Sequence, residues 1–192
     1  MQTKQLTKAI GPLWESAMVL YCEIFPEWER EAIVNIEAAV NSGSSRCILV
    51  HEGDKTIGMS LTEVYRSKHF AMLGYLFVSP SHQGQGLGKL LCQELFDFFN
   101  QSSDFKWLLV EAEAGPERFY KQLGFSTLGI KYLSPHYDDM QSTEMALMLY
   151  AKAEQSAPTK AQLWHIVHHI FSESYYLSSD DPRLEQQRKY II

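Results

Sequence analysis

Apolar residues near the start of the chain recur at helical spacing. In "LWESAMVLYCEIF", Leu13, Ala17, Leu20, Tyr21 and Ile24 follow a 3.6-residue period, and Pro26 ends the run. A second helix is predicted through "EWEREAIVNIEAAVNSG", with Ile33, Ile36, Ala39 and Val40 on one side and Gly43 at its end. The pattern then changes to short apolar runs bounded by turn residues. "RCILVHE" reads as a strand, Gly53-Asp54 as a turn, "KTIGMSLTEVY" as a second strand, and "FAMLGYLFV", closed by Pro80, as a third. These three form an antiparallel meander. From Leu87 the helical period returns through Leu90, Leu91, Leu95, Phe98 and Phe99.

"KWLLVEAEA" is the next predicted strand, and Gly115-Pro116 opens a short helix, "PERFYKQLGF", that Gly124 ends. "STLGIKYL" and "STEMALMLYA" read as a final strand pair around the loop "SPHYDDMQ". Helices mixed with mostly antiparallel strands make the fold class α+β, the unit from "FAMLGYLFV" to "KWLLVEAEA" being the one parallel crossover. "AKAEQSAP" has linker composition, and "KAQLWHIVHHIF" beyond it resumes a helical stripe. The expected organisation is a core domain over residues 1–151 and a linker with a C-terminal helical extension over 152–192.

Composition narrows the partners. Seventeen basic against 23 acidic residues give a formal net charge of −6, which disfavours nucleic acid and suits cationic amines. No window approaches the apolar length of a membrane span, and the N-terminal residues lack a signal peptide's apolar region, so a cytoplasmic protein is expected. Cys22, Cys47 and Cys92 read as buried free thiols rather than a disulfide frame or metal site. His165, His168 and His169 have metal-compatible spacing, but no carboxylate or cysteine nearby completes a site; they read as the polar side of a helix, and no metal is expected.

The stretch "SPSHQGQGLGKLL", residues 79–91, places Gly84, Gly86 and Gly88 directly before an amphipathic helix. Each glycine in a regular element costs about 1 kcal/mol relative to alanine. What offsets that cost is a turn whose amides point at an anion on the helix start. The P-loop pattern fails, because only three residues separate Gly84 from Gly88-Lys89 and Leu90 follows; the dinucleotide pattern fails because Lys89 stands where its third glycine belongs.

Gln83-x-x-Gly86-x-Gly88 after a strand ending in Val78 resembles the acyl-coenzyme A loop of the GCN5-related N-acetyltransferase (GNAT) family. "RFYKQLGF", Arg118 to Phe125, is similar to that family's tyrosine-bearing helix, and the order of elements matches from about residue 3 to residue 150. The resemblance implies a central, mostly antiparallel sheet with splayed middle strands, flanked by helices, with pantetheine between the splayed strands. It implies acetyl-CoA as cosubstrate, its pyrophosphate held by the amides of Gln83, Gly84, Gln85, Gly86, Leu87, Gly88 and Lys89. Phe77 and Val78 would bind pantetheine through their backbones, with the Val78 N–H polarising the thioester carbonyl and Tyr120 acting as general acid. Two positions depart from the family pattern: Glu113 replaces an asparagine that contacts the cofactor, and Met72 stands where a carboxylate base often lies.

A two-residue turn at Ser67-Lys68 makes cross-strand partner numbers sum to 135, which sets Glu63 opposite Met72 as a substitute base; Glu111 and His136 are its rivals. Acceptor-binding candidates are Glu27, Trp28, Tyr65, His136 and Tyr137. The implied activity is transfer of acetyl to a primary amine of a small molecule or peptide, by direct attack in a ternary complex. An acyl-CoA-binding regulatory or partner-binding module without catalysis is the alternative. Covering the substrate cleft and forming a homodimer contact are both open to the C-terminal extension.

Overall fold

The computed structural model describes all 192 residues, in two compact units, 1–105 and 106–192. The class is α+β, with mostly antiparallel open sheet flanked by helices, as the sequence implies.

In the first unit, β1 (Gln2–Leu6), β2 (Ser45–Glu52), β3 (Lys55–Tyr65) and β4 (Phe70–Val78) lie side by side in that order, each pair antiparallel. Side chains alternate between the faces. One face, with Cys47, Leu49, Met59, Leu61, Tyr75 and Phe77, packs on α1 (Pro12–Ile24) and α2 (Ile33–Ser42). The other, with Ile48, Val50 and Ile57, packs on Leu87 and Leu91 of α3 (Leu87–Gln101). Burying a side chain of Leu or Phe size contributes about 1.5–3 kcal/mol, so these two layers hold the unit together.

Four sequence expectations change here. β1 has no signal in the sequence, because four of its five residues are exposed and show no apolar alternation; its pairing with β2 makes it a strand. The second helix starts only at Ile33, since tyrosine hydroxyls occupy the backbone before it: Tyr75 Oη donates to Glu29 O (2.9 Å) and accepts from Glu31 N (2.9 Å), while Tyr21 Oη donates to Glu31 O (3.1 Å). Residues 27–29 form an isolated 3-10 turn. On α3 the buried stripe runs through Leu87, Leu91, Cys92, Leu95, Phe96 and Phe99, leaving Leu90 exposed. Cys22 is exposed rather than buried, being on the outer side of α1; Cys47 and Cys92 are buried, and burial pushes both thiols up to about 12.

In the second unit, β8 (Ser142–Ala151) is the central strand. β5 (Trp107–Ala112) pairs with one edge, and β6 (Ser126–Thr127) and β7 (Tyr132–Pro135) share the other. The expected strand "STLGIKYL" is thus broken at Leu128–Lys131. Gln187, fully buried on α6 (Pro182–Arg188), closes the break: its Nε2 donates to Lys131 O (2.9 Å) and its Oε1 accepts from Leu133 N (2.8 Å). α4 (Ala114–Gln122) follows β5. α5 (Lys160–Glu173) opens with a reciprocal Thr159–Gln162 capping box, which fixes its start. α5 and α6 belong to the same compact unit as β5–β8.

Candidate active site

Backbone alternation at the end of β4 decides which groups are available. Ser79 N donates to Ile57 O (2.8 Å), so Ser79 and Ile57 are a hydrogen-bonded pair, and the next pair, Gly58 and Val78, is not. The Val78 N–H and C=O therefore point away from β3, as do those of Leu76. Those of Phe77 point into the β3 ladder, and its ring is buried. Gln83 Nε2 donates to Val78 O (3.3 Å), which ties the loop back to the strand end.

Beyond the 3-10 turn Pro80–His82, Gly84 (φ 76°) and Gly86 (φ 81°) take left-handed conformations that favour glycine. Gly86 is the N-cap of α3, and Leu90 N donates to Gly86 O (3.0 Å) as the first helical bond. The amides of Leu87, Gly88 and Lys89 accordingly have no intrahelical acceptor, and no side chain caps them. A Cβ at Gly84 or Gly86 would have no protein atom within 4 Å. Gln83, Gln85 and Lys89 are exposed around this space. Open room, unshielded amides and a helix start together fit a pyrophosphate.

Glu63 stands opposite Met72, as the counting of partners requires. The connecting loop is not the expected two-residue turn: it runs over Arg66–His69, with His69 left-handed (φ 61°). Glu63 lies on the same face as Leu61 and Met59, the face that packs on α1. Leu61 pairs with Tyr75 and Thr62 with Leu73, which leaves Gly74 as a bulge. The Glu63 carboxylate lies over that bulge, 3.4 Å from where a Gly74 Cβ would be, and accepts a hydrogen bond from Tyr65 Oη. Tyr65 thus works on Glu63 directly. Glu27 is exposed and pairs with Arg30 (3.4 Å), while Trp28 is half-buried in the same 3-10 turn. A pocket of about 230 Å³ lies beside them, lined by Tyr21, Cys22, Glu27 and Arg30 among others. Burial and the neighbouring Tyr75 hold the Tyr21 phenol well above the ordinary tyrosine range, so it stays protonated. A larger cavity of about 580 Å³, around Arg46 and Phe98, contains none of the expected site residues.

In the second unit, Tyr120 sits in the last turn of α4, 6% exposed, with its ring against Phe119 (5.2 Å) and Phe125 (5.6 Å). Gly124 (φ 97°) turns the chain, and Phe125 N donates to Tyr120 O (3.1 Å), which fixes the backbone at the phenol. Glu113 is the exposed N-cap residue of α4 and makes no side-chain cap. His136 bonds Thr143 Oγ1 (2.8 Å) and pairs with Asp139 (3.0 Å), and Tyr137 stacks on Tyr175 (4.9 Å). Arg183 braces that loop by donating to the carbonyls of His136, Asp139 and Gln141. His165 and His168 are exposed on α5 and His169 is half-buried. Sequence reasoning missed the role of Tyr175, which donates to Glu111 from 64 residues away; nothing in the local pattern signals it.

In the first unit a strand-end glycine loop opens α3, and in the second a tyrosine-bearing helix is closed by Gly124-Phe125. The sequence matches the family model of the acetyltransferase (GNAT) domain over residues 25–149, and the chain belongs to that family. Among solved structures it is similar to a Bacteroides thetaiotaomicron protein assigned to the GNAT acetyltransferases, with 18% identity, 93% of this chain and 100% of that one covered, and a TM-score of 0.74. That share exceeds residues 1–151, so the likeness of fold reaches the C-terminal helices. An aminoglycoside 6'-N-acetyltransferase complexed with coenzyme A is similar at 14% identity, 82% and 100% coverage and TM-score 0.65. Tetrahymena GCN5 is similar at 19% identity, 79% and 96% coverage and TM-score 0.57. A comparison with curated protein sequences found no match. No helix is long and apolar enough to cross a membrane.

Proposed function

We propose that the protein is an N-acetyltransferase that moves acetyl from acetyl-CoA to a primary amine of a small molecule or peptide, by direct attack in a ternary complex. The observation that carries this reading is the loop from Val78 to Lys89: outward strand-end amide, two left-handed glycines, open space and an uncapped helix start, in a chain of the GNAT family. The amides of Gln83 to Lys89 hold the pyrophosphate. The outward backbone groups of Val78 bind pantetheine and polarise the acyl carbonyl. Phe77, expected to bind pantetheine through its backbone, gives it no group, because its N–H and C=O belong to the β3 ladder and its ring packs against Tyr21 and Phe25.

Direct transfer to an amine requires a neutral nucleophile, a polarised carbonyl and a protonated leaving thiolate. Glu63 takes the amine proton, directly or through water, and Tyr65 orients its carboxylate. Tyr120 gives its phenolic proton to the thiolate. Glu27, Trp28, His136 and Tyr137 contact the acceptor. The exposed Cys22 and the buried thiols of Cys47 and Cys92, all free, suit the reducing cytoplasm.

Tyr120→Phe tests the assignment, because it keeps the ring packing and removes the proton. Turnover should fall by about 10²–10⁴-fold with coenzyme affinity unchanged. Undiminished turnover, measured where chemistry limits the rate, would remove Tyr120 from the mechanism.

A further inference from the structure

The cavity of about 580 Å³ around Arg46 and Phe98 lies wholly within the first unit. Its walls are the C-terminal end of α2, the end of β1, Ser45 and Arg46 of β2, Val64 of β3 and the second half of α3. Neither Glu63 nor any residue of the 78–89 loop lines it. From Leu87, where that loop ends in α3, Glu94 and Phe98 are about 10–17 Å further along the helix. Arg46 shares with Ile48 the sheet face that packs on α3, whereas Glu63 is on the opposite face. The cavity is therefore separate from the coenzyme loop and from the proposed base.

Arg46 sets the chemistry of this wall. Its side chain is 16% exposed and its guanidinium lies over the Phe98 ring (5.0 Å). Its ion-pair partner, Glu94, stands at 4.0 Å, too far for a hydrogen bond. Arg183, with its side chain 10% exposed, shows how the chain otherwise satisfies such a group: it donates to Asp181 and to three carbonyls. Burial lowers the pKa of Arg46, and the Glu94 charge offsets this only in part. The other charged groups of the cavity are engaged, Asp97 by Gln93 Nε2 (2.9 Å) and Arg66 by Asp104 (3.2 Å). A guanidinium fork and a carboxylate, side by side, thus have hydrogen bonds to give to a ligand.

Charge selects the ligand. Arg46 and Arg66 balance Glu94 and Asp97, so a simple anion meets two carboxylates and a simple cation meets two guanidinium groups. A zwitterion meets neither penalty. The carboxylate of an α-amino acid matches the planar fork of Arg46, and its ammonium, with three donors, matches Glu94. Cavities of about 300–1,000 Å³ take small molecules, so there is room for a side chain as well. Gln5, Thr7, Ser45 and Gln101 supply uncharged donors and acceptors for it.

The geometry points to a second ligand site, in which Arg46 holds the carboxylate and Glu94 the ammonium of a free α-amino acid with an uncharged polar side chain. An amino acid bound there is a ligand and not the acetyl acceptor, because its ammonium is held on Glu94, away from Val78. The site stands apart from the acetyltransferase reading and is measured without turnover.

Calorimetry on the full chain, with L-glutamine, L-asparagine and L-threonine as probes, tests it. At least one should bind with a Kd of about 1 mM or tighter, and no binding of any of the three overturns the site. For the probe that binds, its primary amide and its N-acetyl derivative should each bind about 10–100-fold more weakly, since each lacks one of the two charges. Arg46→Met keeps the stem over Phe98 and removes the fork, and Glu94→Gln removes the carboxylate charge. Both should weaken binding by about 10–100-fold, with melting curves confirming the fold. Equal affinity for the blocked derivatives, or unchanged affinity in the folded variants, overturns the assignment; if neither variant folds, the derivatives decide alone. Saturating coenzyme A should change the affinity by no more than about 2-fold, as expected of separate sites. Displacement of the probe by coenzyme A would place it at the loop and overturn the site, whereas a protein without acetylation would leave the calorimetric result standing.

Discussion

Gly86→Ala separates backbone strain from ligand contact. Gly86 is left-handed at φ 81°, and an L residue there costs about 1–2 kcal/mol. No protein atom lies within 4 Å of the added methyl, so no packing penalty joins that cost. For a chain of this size the melting temperature should fall by about 2–4 °C per kcal/mol. Gly43 is the internal control: at φ 79° it ends α2, and its Cβ would also meet nothing within 4 Å. Gly43→Ala should lose the same stability. Only at Gly86 does the methyl occupy the space where a phosphate must approach the α3 amides. Losing one charge-assisted hydrogen bond there costs about 1.5–3 kcal/mol, or about 10–100-fold in coenzyme affinity. Isothermal titration with coenzyme A on both variants is the assay. If Gly86→Ala and Gly43→Ala bind coenzyme A equally well, the loop does not hold the pyrophosphate.

Glu63→Gln should remove the acidic limb of the turnover–pH profile while leaving coenzyme affinity intact; a wild-type profile excludes Glu63 as base. Gln187→Ala leaves Lys131 O and Leu133 N without their buried partner, at about 1–3 kcal/mol each, so the melting temperature should drop by about 4–24 °C; a change under about 2 °C would mean the β6–β7 break is closed in another way. Asp181 caps α6 and its side chain, 7% exposed, is paired with Arg183 (2.8 Å), which holds its carboxyl below the ordinary aspartate range. Its contribution to stability is full above the unfolded value of about 4 and is lost as pH falls through the lower folded value, so wild type and Asp181→Asn should differ most at neutral pH and converge in acid. A constant difference down to about pH 2 contradicts that linkage.

The elements that were legible in the sequence are those whose own residues carry the signal. β4 spans the whole of "FAMLGYLFV", and α3 begins at Leu87, because an apolar run and a glycine stop are local features. The Glu63–Met72 pairing was also reachable, although through a turn of the wrong length: cross-strand numbering depends on the sum of partner positions, and a loop of four residues centred on the same point preserves it. What escaped depends on partners distant in the chain. β1 is polar and becomes a strand by pairing with residues 47–51. The late start of α2 is set by Tyr75, 44 residues from the Glu31 amide it bonds. The break in "STLGIKYL" is tolerated because Gln187 satisfies its backbone from 54 and 56 residues away. The Tyr175–Glu111 hydrogen bond has the same character. Leu90 and Cys22 differ for a simpler reason: apolar type does not ensure burial, and each lies on the outward side of its helix.

Acetyl-CoA presented with a panel of primary amines, with free thiol release followed for wild type and Tyr120→Phe, tests the central claim most directly. Amine-dependent thiol release by the wild type, together with its loss by about 10²–10⁴-fold in the variant, is the predicted result. Tight coenzyme binding with no thiol release for any amine would contradict it and leave a coenzyme-binding module without transfer.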